Sequence, residues 1–279
     1  MTRLSFEHII RQIQELPSLP VVVLELLSSM DQDDTDVHVL AQKIELDQAL
    51  AAKTLRIANS SFYGMQSKVT SIPQAVSVLG FHSIRTVVTA CALTGSFAPV
   101  AGGFDFKAFW RHSLATAIAA RLLAPHLRVN PETAFTAGLL HDLGTLVMVT
   151  RFPAEHALVR SYRQAHDCQM AEAELAVIGI DHAQVGSALA AYWKFPEAIQ
   201  QAVADHHAID RLEAGGLPLT VHMANAVALG LDLAGIDDAL VPALSPTGWR
   251  SIALDEPAWL ALLGQTEHTF DEMSRIMLA

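Results

Sequence analysis

The sequence predicts an all-α protein, and three observations predict it. Hydrophobic residues make up 51% of the 279 residues and charged ones 17%, and much of the apolar excess is Ala and Leu, the strongest helix formers. Apolar positions recur at helical spacing along most of the chain. Gly and Pro, 15 and 12 in number, mark segment ends more than they fill long loops. A chain of this length buries a large core. The expected architecture is a bundle of two packed lobes, over residues 1–94 and 104–235, with a short helical extension over 236–279.

Each element has a local reason. Residues 4–15 place Phe6, Ile9, Ile10 and Ile13 at helical spacing. Leu16-Pro17-Ser18-Leu19-Pro20 ends that helix, and Pro20 suits the first turn of the next, Val21 to Ser29. An acidic turn, Asp31 to Asp36, leads to a helix over Val37 to Ile44, with Thr35 or Asp36 as its cap. Asp47 caps Gln48 to Ala58, and Asn59-Ser60-Ser61-Phe62-Tyr63-Gly64 breaks it. Ser71-Ile72-Pro73-Gln74 starts a further helix that Gly80 ends, and His82 to Leu93 forms an apolar one. Thr94 to Gly103 is the best internal boundary by composition.

Beyond it, Lys107 to Leu123 reads as a long helix, and Asn130 with Pro131 opens a central one over Thr133 to Val149. Glu155 to Ala165, Met170 to Ile178, Ala183 to Trp193 (capped by Asp181), Pro196 to His207 and Leu217 to Leu233 follow. Ser245-Pro246-Thr247-Gly248 and Asp255-Glu256-Pro257 punctuate two or three short helices in the tail.

Composition narrows the function classes. The span Thr86 to Asp105 is free of charge until its end, but Thr94-Gly95-Ser96, Pro99 and Gly102-Gly103 interrupt it, which argues against a membrane helix. The N-terminus carries an early acid and no apolar signal core, so a cytoplasmic protein is expected. Cys91 and Cys168, each in an apolar helical context, read as reduced thiols. With a net charge of −11 and 18 basic residues not gathered in any run, nucleic acid is not the expected partner.

One stretch interrupts this apolar texture: Gly138-Leu139-Leu140-His141-Asp142-Leu143-Gly144. A charged Asp and a titratable His inside a buried run cost free energy unless something pairs with them. His112, His182, His206 and His207 stand on other helices or their ends. Imidazoles and a carboxylate suit divalent Fe, Mn, Ni or Zn, and a helical bundle converges ligands from several helices on one interior point. Two alternatives follow for His112, His141, Asp142, His182, His206 and His207: a metal centre, or a hydrogen-bonded histidine network. For His207 a further argument favours the second, because adjacent residues on a helix point apart. His8, His38, His126, His156, His166 and His268 suit surface or capping roles, and His82 a helix start. Asn59 and Ser60, with Arg56 a turn earlier, read as a helix C-cap and turn more than as a ligand contact. Trp110 and Trp193 read as core anchors.

Leu16-Pro17-Ser18-Leu19-Pro20, Leu40 to Asp47, Lys53 to Ser60, Ser71 to Val76 and Leu79-Gly80, in this order, resemble the HDOD family of bacterial regulatory domains. The resemblance extends to about residue 230 and implies an all-α, HD-domain-like and phosphodiesterase-like fold found in signalling proteins, generally without hydrolase activity. The histidine order also resembles the HD phosphohydrolase superfamily. On that resemblance His112, His141 and Asp142 match the core metal ligands, while His182, His206 and His207 match the additional ligands of two-metal members.

The chain departs from the hydrolase pattern at four points. Asn225 stands where the last Asp belongs, Thr145 where a Lys is frequent and Ala108 where some members have Glu, and no GYP-type sequence follows His206-His207. The expected function is a non-catalytic regulatory domain that binds a signalling protein or small molecule and keeps a divalent metal site, with a metal-dependent phosphohydrolase of nucleotides or cyclic dinucleotides as the alternative. A third option is a scaffold or homodimer docking through Trp259, Leu260, Leu262 and Leu263 of the tail.

Overall fold

The computed structural model describes residues 3–16, 23, 37–65, 68–96, 103–209, 212, 215–236 and 238–278, with the backbone alone at 37–40, 94–96 and 247. The proline-punctuated stretch 17–20, the helix expected to Ser29, the acidic turn with its Thr35 or Asp36 cap, and most of the Gly/Pro boundary lie outside these residues. No strand occurs among the described residues. The architecture is all-α.

Five helices precede the expected boundary: α1 (Phe6–Gln14), α2 (Val37–Leu46), α3 (Gln48–Ala58), α4 (Ile72–Leu79) and α5 (Phe81–Ser96). Ser5, Asp47 and Ser71 accept from backbone N–H groups at the starts of α1, α3 and α4, satisfying donors that a helix leaves free. Gly80, with φ of 80°, turns the chain from α4 into α5. Thr94-Gly95-Ser96, read with the boundary stretch, is helical and ends α5. Asn59 is the C-cap of α3, the role its position predicts.

The next run is α6 (Phe106–Leu123), α7 (Pro131–Leu140), α8 (Leu143–Arg151), α9 (Pro153–His166), α10 (Met170–Val177), α11 (His182–Tyr192), α12 (Glu197–Asp205) and α13 (Leu217–Gly230). The single central helix expected over 133–149 is two, broken at His141-Asp142. Taken together, 131–151 is apolar and long enough by composition to cross a membrane, but 78% of its apolar 18-residue window is buried inside the protein. The tail holds α14 (Pro246–Ser251) and the 22-residue α15 (Glu256–Met277). Pro257 sits in the first turn of α15, where it lacks no hydrogen bond, so the punctuation read as a series of short helices begins one long one.

Two apolar clusters form the interior. One joins Ile9 and Ile13 of α1 to α6–α8 and α11–α13, and holds Trp110 and Trp193. The other joins α2–α5 to Leu114 and Ile118 of α6, Phe135 and Leu139 of α7, and Phe270, Met273 and Met277 of α15. Helices α6 and α7 are thus walls of both. Their approach is close because Gly138 has no side chain: a Cβ there would lie 2.8 Å from the Ala117 Cα. Trp249 and Trp259 stack on each other at 5.0 Å in the tail, where Leu262 is buried and Leu260 exposed.

Candidate metal centre

Five of the six predicted site residues stand at helix ends. His141 is the C-cap of α7, Asp142 directly precedes α8, His182 is the first residue of α11, His206 is the C-cap of α12, and His207 follows it. Only His112 lies mid-helix, on α6. At a helix end the 100° step between neighbours lapses, so adjacent residues can face one point. This corrects the expectation that one of His206 and His207 turns away: their ring centroids are 4.0 Å apart. Gly144 completes the approach. A Cβ there would lie 1.9 Å from the His182 carbonyl oxygen, so only glycine lets the start of α8 lie against α11.

Asp142 is the hub. Its Oδ2 lies 3.2 Å from His141 Nε2 and 3.5 Å from His112 Nε2, which are 3.3 Å from each other. Its Oδ1 lies 3.2 Å from His182 Nε2 and 3.5 Å from His206 Nε2, and His207 Nε2 is 2.9 Å from His182 Nε2. Two donor groups therefore share one carboxylate, and all six sequence-predicted residues meet. Donors held about 2.0–2.1 Å from one ion, at roughly tetrahedral or octahedral angles, lie about 3.0–3.4 Å from one another. The observed spacings fit two cation seats.

Ring protonation strengthens the fit. Nδ1 of His141 is 2.7 Å from the Gly138 carbonyl oxygen, and Nδ1 of His206 is 2.8 Å from that of Val203. A carbonyl only accepts, so each Nδ1 carries a proton and each Nε2 is the ring atom turned to Asp142. Nδ1 of His182 donates to Glu174 Oε2 at 2.7 Å. Three Nε2 atoms thus face one carboxylate, a contact that a ring proton or a cation would bridge.

Titration follows the same geometry. Burial, reinforced by His141, pushes His112 down to about 4. Burial also pushes His206 to about 4, and burial with His206 nearby holds His207 well below the usual value. Desolvation would raise the Asp142 carboxyl, yet the facing His141, His182 and His206 hold it well below the carboxylate range. Desolvation would likewise lower His182, but Glu174 and Asp142 on its two sides carry it well above its ordinary value. The centre is an ionised carboxylate facing His112, His206 and His207, which favour the neutral form that ligation needs, and His182, whose extra proton a bound ion would displace.

A cavity of about 410 Å³ opens on Asp142, His112, His182 and His207. Its walls include Thr145, Phe104, Phe109, Arg160, Arg163 and Asn225. Asn225 is buried, and its Oδ1 has no hydrogen-bond partner. Arg163 is held by the Asp238 carboxylate and backbone carbonyl.

Sequence reasoning missed several of these residues. His156, expected at the surface, is 7% exposed, lines the cavity and stands edge-on to Phe104 at 6.0 Å. Desolvation, with Arg160 nearby, pushes it to about 4. Glu174 is fully buried on α10 while its neighbour Leu175 is 45% exposed. The one signal was phase: Glu174 shares a face with Ala171 and Val177, where an apolar residue belongs. His222, whose Nδ1 donates to the His206 carbonyl oxygen at 2.9 Å, carried no sequence signal beyond its type.

An all-α bundle with a His–Asp centre between its helices defines an HD-type protein. The HDOD domain profile matches residues 16–209, and the chain belongs to the HDOD domain family. It is 30% identical to a Shewanella amazonensis SB2B protein of solved structure, proposed to be a phosphohydrolase, with a TM-score of 0.77 over 96% of this chain and 97% of that one. An HDOD domain protein from Geobacter sulfurreducens shares the fold at 23% identity, with a TM-score of 0.77 over 99% of this chain and 100% of that one. A curated Treponema pallidum relative is 25% identical over 79% of this chain, which spans 44% of that relative's length.

Proposed function

We propose that this chain is a regulatory HDOD domain that holds a divalent ion at the Asp142 cluster and binds a small ligand or signalling partner through the cavity above it, without turnover. The observation that carries this reading is the asymmetry of the site. Six donors converge, while Asn225 supplies a neutral, unpartnered amide where HD hydrolases, on the sequence resemblance, have an acid. A divalent ion held here would supply Lewis acidity and lower the pKa of a bound water. The chain's own part is narrower: Asp142 and the histidines would hold the ion, the carbonyl- and carboxylate-anchored rings orient Nε2 toward it, and Thr145 offers the cavity no cation opposite a phosphate. A cytoplasmic setting and a non-nucleic-acid ligand belong to the same reading.

The competing reading is a metal-dependent phosphohydrolase. Two observations favour it: the 30% identical protein proposed to be a phosphohydrolase, and Arg160 and Arg163 at the cavity wall, where guanidinium groups can meet phosphate charge. Elemental analysis of purified protein, with a phosphodiesterase and phosphatase assay in Mn or Fe, separates the two. The regulatory reading expects bound metal and no turnover above an Asp142→Ala control. Turnover in wild type that Asp142→Ala abolishes reverses it.

A further inference from the structure

The four best-placed imidazoles of the centre are anchored unequally. Nδ1 of His141 and of His206 each meets a neutral backbone carbonyl. Nδ1 of His112 has no hydrogen-bond partner. His182 alone is anchored by a carboxylate: Glu174 Oε2 accepts from its Nδ1 at 2.7 Å and from its backbone N–H at 2.8 Å. One oxygen atom therefore fixes both the ring and the backbone of the first residue of α11.

Glu174 is a costly residue to keep where it is. Its exposure is 0%, its Oε1 has no hydrogen-bond partner, and among the described residues no lysine or arginine pairs with it. A buried carboxylate in that state needs positive charge nearby. Asp142, the second carboxylate, stands on the far side of the same ring, 3.2 Å from His182 Nε2. Two carboxylates thus flank one imidazole, and a second proton on the ring or a bound divalent ion would balance them. An imidazole whose N–H donates to a carboxylate is also a more basic ligand than one whose N–H meets a carbonyl.

We propose that Glu174 is a positioning residue which, acting through His182, makes the donor group on the Asp142 Oδ1 side (His182, His206 and His207) the tighter of the two ion seats. The inference rests on the metal-centre reading above and adds to it an order of filling. The plainer role for Glu174 is an acceptor for a free N–H at the start of α11. Glutamine separates the two, since it keeps an acceptor and the side-chain volume and loses only the charge.

The test is titration of the metal-stripped full-length chain with Co²⁺ near neutral pH, read by its visible absorption bands, with a thermal melt of each variant. Glu174→Gln is expected to weaken the first, tighter step by about 10- to 100-fold and to shift its absorption bands. His182→Ala is expected to remove that step. His112→Ala, on the opposite side, is expected to weaken only the second step, and this arm stands even if the Glu174 variant does not fold. Glu132→Gln, at a buried acid outside the cluster, controls for general destabilisation and should leave both steps in place. A Glu174→Gln titration that superimposes on wild type overturns the proposal, and so does loss of the first step in His112→Ala. Wild-type protein that takes up no Co²⁺ overturns the metal-centre reading beneath it, a distinct result.

Discussion

Among the described residues, two sets of polar side chains are built on opposite plans. The set at and beyond the end of α3, around the exposed Asn59 and the half-buried Arg121, closes on local partners. Asn59 donates to the Leu55 and Val69 carbonyls at 2.8 Å and accepts from the Val69 N–H at 2.7 Å. Arg121 pairs with Glu132 at 2.9 Å, donates to the Phe62 carbonyl at 3.1 Å and covers the Phe62 ring at 4.1 Å. Tyr63 reaches Glu132 as well, and desolvation with that carboxylate raises its pKa well above the usual value. The Asp142 cluster does not close. His112 Nδ1, Glu174 Oε1 and Asn225 Oδ1 have no hydrogen-bond partner, and several rings turn Nε2 to one carboxylate. A satisfied network holds a fold together, whereas an unsatisfied, convergent one is shaped for something else to enter.

The contrast can be broken at several points. Gly144→Ala has the largest expected effect because it touches fold and centre together. Its Cβ would meet backbone and not a flexible side chain, so a stability loss above about 3 kcal/mol and loss of bound metal are expected, from chemical denaturation and elemental analysis. Glu132→Ala strips the closed cluster of its acid and leaves Arg121 partly buried and unpaired. It should cost about 3 kcal/mol while metal content per folded protein stays unchanged.

Asp142→Ala strikes the centre itself. Metal affinity is expected to fall by more than about 100-fold, and the metal-free protein also to melt lower, because the facing imidazoles favour the ionised carboxylate in the folded state. Acid sharpens the same point in the metal-free state. His112, His206 and His156 sit near 4 in the folded protein against 6.5 unperturbed, so the unfolded chain binds protons first. Their contribution to stability is complete above pH 6.5 and is lost as pH falls toward 4, which urea midpoints across that range would report. Asn59→Ala is the smallest, about 1 kcal/mol of stability and no change in metal uptake.

Most helices were legible because caps and apolar spacing are local properties: Asp47, Ser71, Asn130 and Asp181 all cap where the sequence placed them. The His–Asp set was legible because polar groups in an apolar run need a reason. What escaped depends on tertiary placement. The break at His141-Asp142 has no Pro or Gly at the break itself and follows from the two residues turning toward partners on other helices. His156 looked like a surface residue beside Glu155 and is covered by Phe104. Glu174 and Leu175 exchange their expected exposures because His182 claims the carboxylate.

The return of α15 has a consequence for biosynthesis. Phe270, Met273 and Met277 complete the core begun by α2–α5, and the Ser61 N–H donates to Glu272 at 3.0 Å across 211 residues. The first half of the chain leaves the ribosome with its apolar floor open and waits for almost everything else to be translated. Such long-range closure slows folding and leaves an early intermediate with apolar surface exposed.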